Sequence, residues 1–245
     1  MKRVLTLLLL LLTLEIAAVD YLDINLFVDP EFKMEELNLV NFQLKNLVND
    51  SIPQTTILAG DIISGTVSDS IVIEALNMFN PDLALPTGYH YTSQEINFPL
   101  MATNIISDSL KIISNKIIRS DSLSVGIFGI YSPDFSVKYK LDAKMNFQSF
   151  KLIQRYSKAL AEEVDVVIML SALGKYIDRD AVKDLPIDFV LSFDYKKGRT
   201  EKFHKKTNFY SIISTSGKYG KLRLKYENGE ISHDWQQIQF RQIEK

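Results

Sequence analysis

Six side chains lie just beyond apolar, strand-like runs: Asp29, Glu31, Asp61, His90, Asp194 and Lys196. Four of them are carboxylates. Carboxylates that converge repel one another and stay ionised only beside a compensating cation. That cation is either a metal ion or a basic side chain. An all-oxygen set of Asp29, Glu31, Asp61 and Asp194 suits a hard ion such as Mg²⁺ or Ca²⁺. Zn²⁺ favours imidazole and thiolate, and the chain offers three histidines and no cysteine. Lys196 supplies the other possibility, an ammonium standing where an ion would sit. His90 has the chemistry of a general acid toward a leaving oxygen.

The elements that must position these residues alternate along the chain. Tyr21 to Val28, Thr55 to Ala59, Leu83 to Leu85, Phe98 to Ile105, Val164 to Ser171 and Ile187 to Ser192 read as strands. Ile112 to Ile118 and Leu123 to Ile130 read as a hairpin, with Gly126 and Gly129 permitting close packing. Glu35 to Val48, Ser70 to Phe79 and Phe147 to Glu162 read as amphipathic helices. Tyr210 to Ser214 and Lys221 to Tyr226 are expected as closing strands, with Asn228-Gly229 as a tight turn. Open α/β folds collect ligands at the carboxyl ends of their strands, where these polar residues fall.

Composition narrows the classes. The 245 residues are 46% hydrophobic and 24% charged, with 28 basic and 30 acidic residues and a formal net charge of −2. That is a globular composition without the basic excess of a nucleic-acid binder. The absence of cysteine excludes a disulfide scaffold and a thiol nucleophile. Lys2 and Arg3 precede a leucine-rich run from Val4 to Leu14, and Ile16-Ala17-Ala18 offers small residues for cleavage. Residues 1–18 are therefore expected to be a signal peptide, 19–245 a single domain, and the location periplasmic or secreted, with no membrane span after cleavage. No Walker loop, dinucleotide fingerprint, nucleophile elbow or HExxH occurs.

Seven segments in order resemble the calcineurin-like metallophosphoesterases, and most closely the N-terminal domain of bacterial 5′-nucleotidases. They are Asn25 to Glu31, Gly60 to Gly65, Leu85 to His90, Phe98 to Ile105, Ser171 to Gly174, Ile187 to Lys196 and Ser216 to Leu222. The resemblance implies an α/β fold, a four-layer α/β/β/α sandwich of two mixed sheets. It also implies two metal sites. One would be built from Asp29, Glu31, Asp61 and Lys196, the other from Asp61, Tyr89, Ala172 and Asp194. Each family ligand histidine is replaced, by Glu31, Ala172, Asp194 and Lys196, and the asparagine ligand is Tyr89. His90 matches the family's catalytic histidine, but Tyr91 follows where an acid stands.

The resemblance thus implies an exported phosphoesterase-like protein with most metal ligands replaced. It is expected to act by binding a phosphorylated small molecule or a protein partner, with no metal or a single Mg²⁺ or Ca²⁺. The alternative is a divergent phosphomonoester hydrolase with one hard divalent ion on an all-carboxylate site. Remaining features read as structural. The basic run Lys196 to Lys206 and Asp178-Arg179-Asp180 are expected as solvated loops. His233 and Trp235 have no evident partner set.

Overall fold

The computed structural model describes residues 19–29, 52–60, 68–85, 95–108, 110–132, 144–193, 199–212 and 217–239. The helix expected over Glu35 to Val48 and the expected signal peptide lie outside the described residues. In chain order the elements are β1 (Asp20–Val28), β2 (Gln54–Ala59), α1 (Asp69–Phe79), β3 (Leu83–Ala84), β4 (Leu100–Met101), β5 (Ile105–Ile106), β6 (Ile112–Ile113), β7 (Asn115–Arg119), β8 (Ser124–Ile130), β9 (Lys144–Met145), α2 (Ser149–Ala161), β10 (Val166–Ser171), α3 (Lys175–Ala181), β11 (Phe189–Ser192), β12 (Arg199–Phe203), β13 (Thr207–Ser211), β14 (Lys218–Glu227) and β15 (Glu230–Gln239).

Among the described residues these strands form two large mixed sheets and a small pair. One sheet has the order β15-β14-β1-β2-β3-β4-β6, the other β12-β13-β11-β10-β8-β7, and β5 pairs with β9. In the first sheet β1, β2, β3, β4 and β6 run parallel, with β14 antiparallel to β1. In the second, β8, β10, β11 and β13 run parallel, flanked by antiparallel β7 and β12.

The period of two along each strand sorts side chains between two apolar layers. In β1, Leu22, Ile24, Leu26 and Val28 enter a cluster shared by both sheets, with Val166, Ile168 and Leu170 of β10. The alternate residues face outward. Phe27 of β1 meets Val72, Ala75, Leu76 and Phe79 of α1, and Val167 and Met169 of β10 meet Ile153 and Leu160 of α2. Strands buried on both faces read as continuous apolar runs, which is why Val166–Ser171 shows no alternation in sequence.

Local chemistry sets the boundaries. The spacing of Val72, Ala75, Leu76 and Phe79 makes one helical face. Asn80 closes α1 in the left-handed conformation, its N–H donating to Leu76 O, and Pro81 follows. Asn228 and Gly229 both have positive φ (54° and 84°), as a two-residue hairpin between β14 and β15 requires. A side chain on Gly126 would meet Leu160 Cδ2 at 2.9 Å, so glycine is what lets α2 lie close on β8.

Five expectations change. The strand expected over Phe98 to Ile105 is two short pieces, because Thr103 and Asn104 turn away to bind β8 and the segment after it. The hairpin is β7 with β8, while Ile112–Ile113 joins the other sheet beside β4. The basic run contains strand β12, and β15 follows β14 as a further strand. Asp178 lies in helix α3 and is fully buried, not in a solvated loop.

Candidate functional site

Both sets of parallel strands point the same way. At the start, the Asp20 carboxylate accepts hydrogen bonds from Ser120 Oγ (2.6 Å) and Ser122 N–H (2.7 Å), so the beginning of β1 abuts the turn that leads into β8. At the far end, Thr103 N–H donates to Gly129 O at 2.7 Å. Asn104, fully buried, donates from Nδ2 to Tyr131 O (2.8 Å) and accepts Tyr131 N–H at Oδ1 (3.0 Å). The carboxyl ends of β1, β2 and β3 therefore share one rim with those of β8, β10 and β11, the ligand-binding rim of an open α/β fold.

Asp29 is the described carboxylate of the expected set. It follows β1 directly, is 6% exposed, and has φ 39° with its N–H donating to Ala59 O at 2.8 Å. That bond ties the end of β1 to the end of β2, where Gly60 turns at φ 85°. Ala172 stands at the end of β10, fully buried, its N–H donating to Ile130 O at 3.0 Å. Its methyl group offers no ligand atom. Glu31, Asp61, Tyr89, His90, Asp194 and Lys196 lie outside the described residues. Among the described residues, no three His, Cys, Asp or Glu side chains come together to hold an ion.

The floor beneath the rim is apolar and fixed. Tyr131 is fully buried and meets Phe193 edge-to-face at 5.9 Å, joining the ends of β8 and β11. The turn after β10 is held by two buried polar groups that sequence reasoning missed. Ser171 Oγ donates to the Asp178 carboxylate and accepts Leu173 N–H at 3.0 Å. The pair locks Ala172-Leu173-Gly174 against α3. The only local signal is the seven-residue spacing of Ser171 and Asp178 across a glycine turn, which periodicity does not flag.

His233 and Trp235 do have partners. His233 Nε2 lies 2.8 Å from Tyr210 Oη, and its ring meets Phe189 edge-on at 4.9 Å. Trp235 stacks on Tyr210 with centroids 4.8 Å apart and planes 7° from parallel. Burial, then the nearby Lys202 charge, lowers the His233 pKa below the usual imidazole value.

The fold is that of the calcineurin-like metallophosphoesterases. A Staphylococcus aureus structure assigned as a 5′-nucleotidase is similar with TM-score 0.70 and 12% identity, covering 90% of this chain and 54% of that one. The NAD nucleotidase NadN of Haemophilus influenzae is similar with TM-score 0.69 and 15% identity, covering 90% and 56%. GAP50, the anchor in the inner membrane complex of Plasmodium, gives TM-score 0.51 and 10% identity, covering 91% and 90%. This chain spans about half the length of the two nucleotidase structures. No family model matches the sequence, and no curated protein matches it.

Proposed function

We propose that this is an exported protein of phosphoesterase-like fold that binds a phosphorylated small molecule or a protein partner and has largely lost hydrolysis. The observation that carries the reading is Ala172. By the resemblance, the end of β10 is where a ligand histidine stands, and here a buried methyl group occupies it. A dinuclear hydrolase needs both ions to generate hydroxide and neutralise phosphate oxygens. Among the described residues Asp29 offers one buried carboxylate to a hard ion, and Ala172 offers no ligand atom to a second.

Lys196 would then set its ammonium beside Asp29, Glu31 and Asp61 and balance their charge without a metal. His90 would hold a phosphate oxygen by a hydrogen bond rather than protonate a leaving group. GAP50 supports the binding reading in one respect, since a chain of this fold serves there as an anchor. One observation favours the alternative of a divergent phosphomonoester hydrolase: Asp29 keeps a buried carboxylate at the rim, a ligand suited to Mg²⁺ or Ca²⁺.

Turnover of a generic phosphomonoester, with Mg²⁺, Mn²⁺ and Ca²⁺ supplied in turn, separates the two. No turnover with any ion, from a protein with native circular dichroism, is expected. Turnover that disappears in Asp61→Asn would establish the hydrolase instead.

A further inference from the structure

The first turn of α2 and the residues just before it present apolar side chains to solvent. Phe147 is 76% exposed, Phe150 55% and Ile106 of β5 60%. α2 packs on the second sheet through Ile153 and Leu160, and Phe150 stands off that contact. Ile106 lies opposite Lys144 in the β5–β9 pair, and Asn146 N–H donates to Asn104 O at 2.8 Å, which fixes the chain just before Phe147.

The charge of this stretch has one sign. From Lys144 to Ala161 the chain carries Lys144, Lys151, Arg155 and Lys158 and no Asp or Glu. The preceding segment, 133–143, holds Asp134, Lys138, Lys140 and Asp142 and adds no net charge. Asp108 follows β5, and Glu162 and Glu163 follow α2 at its far end. Lys151, Arg155 and Lys158 recur at spacings of four and three, so they form one outward stripe, and all are exposed. Among the described residues none of the four cations has an ion pair, whereas Lys175, Arg199, Lys221 and Arg223 do. The arrangement weakens its own helix. Like charges three and four residues apart repel. Lys151 sits in the first turn, where the macrodipole disfavours a cation and neither an acid nor a side-chain cap offsets it. An external anion gives such a stripe its reason.

We infer that this face docks on the surface of an anionic lipid bilayer. Phe147 and Phe150 enter between the headgroups, and Lys144, Lys151, Arg155 and Lys158 lie over their phosphates. Exposed aromatic rings beside a basic helical stripe make up an interfacial helix. Each basic side chain near such a surface strengthens binding about fivefold. The two rings stand out from the surface rather than line a groove, which fits insertion into lipid and not the capture of a peptide. Asn104, which binds Tyr131 after β8, also donates to Ser149 Oγ at 3.4 Å. α2 therefore begins at the carboxyl ends of the strands, and docking holds that rim beside the membrane.

The chain has no cysteine, so a thiol-linked, polarity-sensitive dye can be set at one position. Gln148 is exposed and makes no side-chain cap. A dye at Gln148→Cys is expected to shift to shorter wavelength on vesicles of phosphatidylglycerol mixed with phosphatidylcholine, to stay unshifted on phosphatidylcholine alone, and to return toward its aqueous emission as salt is raised. A dye at Ser122→Cys, at the opposite end of the strands, is expected to stay in water on both. In the Gln148→Cys protein, Lys151→Ala with Arg155→Ala should raise the lipid needed for half the shift about tenfold or more. Phe147→Ser with Phe150→Ser should remove the shift. Alanine favours the helix, so the first pair should unfold at or above the parent's temperature. The apolar run Val4 to Leu14 is common to every variant, so differences between them report this face alone. A dye at Gln148→Cys that stays in water on anionic vesicles overturns the proposal. So does an equal shift on phosphatidylcholine, or a shift indifferent to Lys151→Ala with Arg155→Ala. A shift given by polyglutamate and not by anionic vesicles would assign the face to an acidic protein partner instead.

Discussion

Replacing Gly220 by alanine tests how the two sheets meet beside β15. A Cβ at this position would lie 2.1 Å from Trp235 Cη2, 2.6 Å from Cζ2 and 2.7 Å from Ile212 Cδ1. All three are well inside ordinary van der Waals contact. Ile212 is fully buried in the inter-sheet core, so the indole must move and leave its stack on Tyr210. Overpacking of this kind costs about 1–3 kcal/mol, and a lost aromatic stack about 0.5–1.5 kcal/mol more. Loss of glycine's freedom in the unfolded chain offsets about 0.4–1 kcal/mol. A net destabilisation of about 1–3 kcal/mol is expected. Trp235 is the only tryptophan, so its fluorescence reports this contact directly. Urea unfolding followed by fluorescence and circular dichroism should show a lower midpoint and a red-shifted native emission. Adding Trp235→Leu should recover most of the loss, giving a coupling of about 1 kcal/mol or more in the double-mutant cycle. Parent-like midpoint and emission in Gly220→Ala would refute the packing described.

Three further perturbations probe the scaffold and the site. Asp23 is 3% exposed and accepts two hydrogen bonds from Arg223 at 2.7 Å and an ion pair from Lys221 at 2.7 Å. Burial raises its pKa, but the bonds and charges of Arg223 and Lys221 outweigh that and lower it overall. Its stabilisation is therefore complete above the unfolded carboxylate value near 4 and is lost as pH falls through the lower folded value. Asp23→Asn should cost about 2–3 kcal/mol at pH 7 in urea unfolding, a gap that narrows at acid pH. Asn104→Ala strands the N–H and C=O of Tyr131 and should cost about 2–4 kcal/mol by thermal unfolding. If, as proposed, the Lys196 ammonium balances Asp29, Glu31 and Asp61, Lys196→Ala should lose about 1–3 kcal/mol in metal-free buffer; unchanged stability would remove Lys196 from that role.

Where the sequence was legible, one local signal sufficed. The apolar run of β10 marks a strand covered on both faces, and Asn228-Gly229 marks its hairpin without any tertiary knowledge. β15 was missed because its polar residues carry no strand-like alternation, and its register comes from β14 and from the Tyr210 stack. Asp178 was missed because its burial depends on Ser171 across a turn, a partnership that a scan for charged, solvated loops reads the wrong way. Gly220 lay within a resembling segment, yet only the indole lying against it gives the glycine a physical reason. For the site, the sequence placed Asp29 and Ala172 at strand ends, where the structure has them. The two differ in kind: one carries a buried carboxylate, the other a methyl group.

The metal content of the protein, purified without chelator and measured by elemental analysis, bears most directly on the proposed loss of a two-ion centre. Zero ions, or a single Mg²⁺ or Ca²⁺ per chain, is the expected result. Two tightly held ions per chain, lost together with any phosphomonoester turnover in Asp61→Asn, would contradict it.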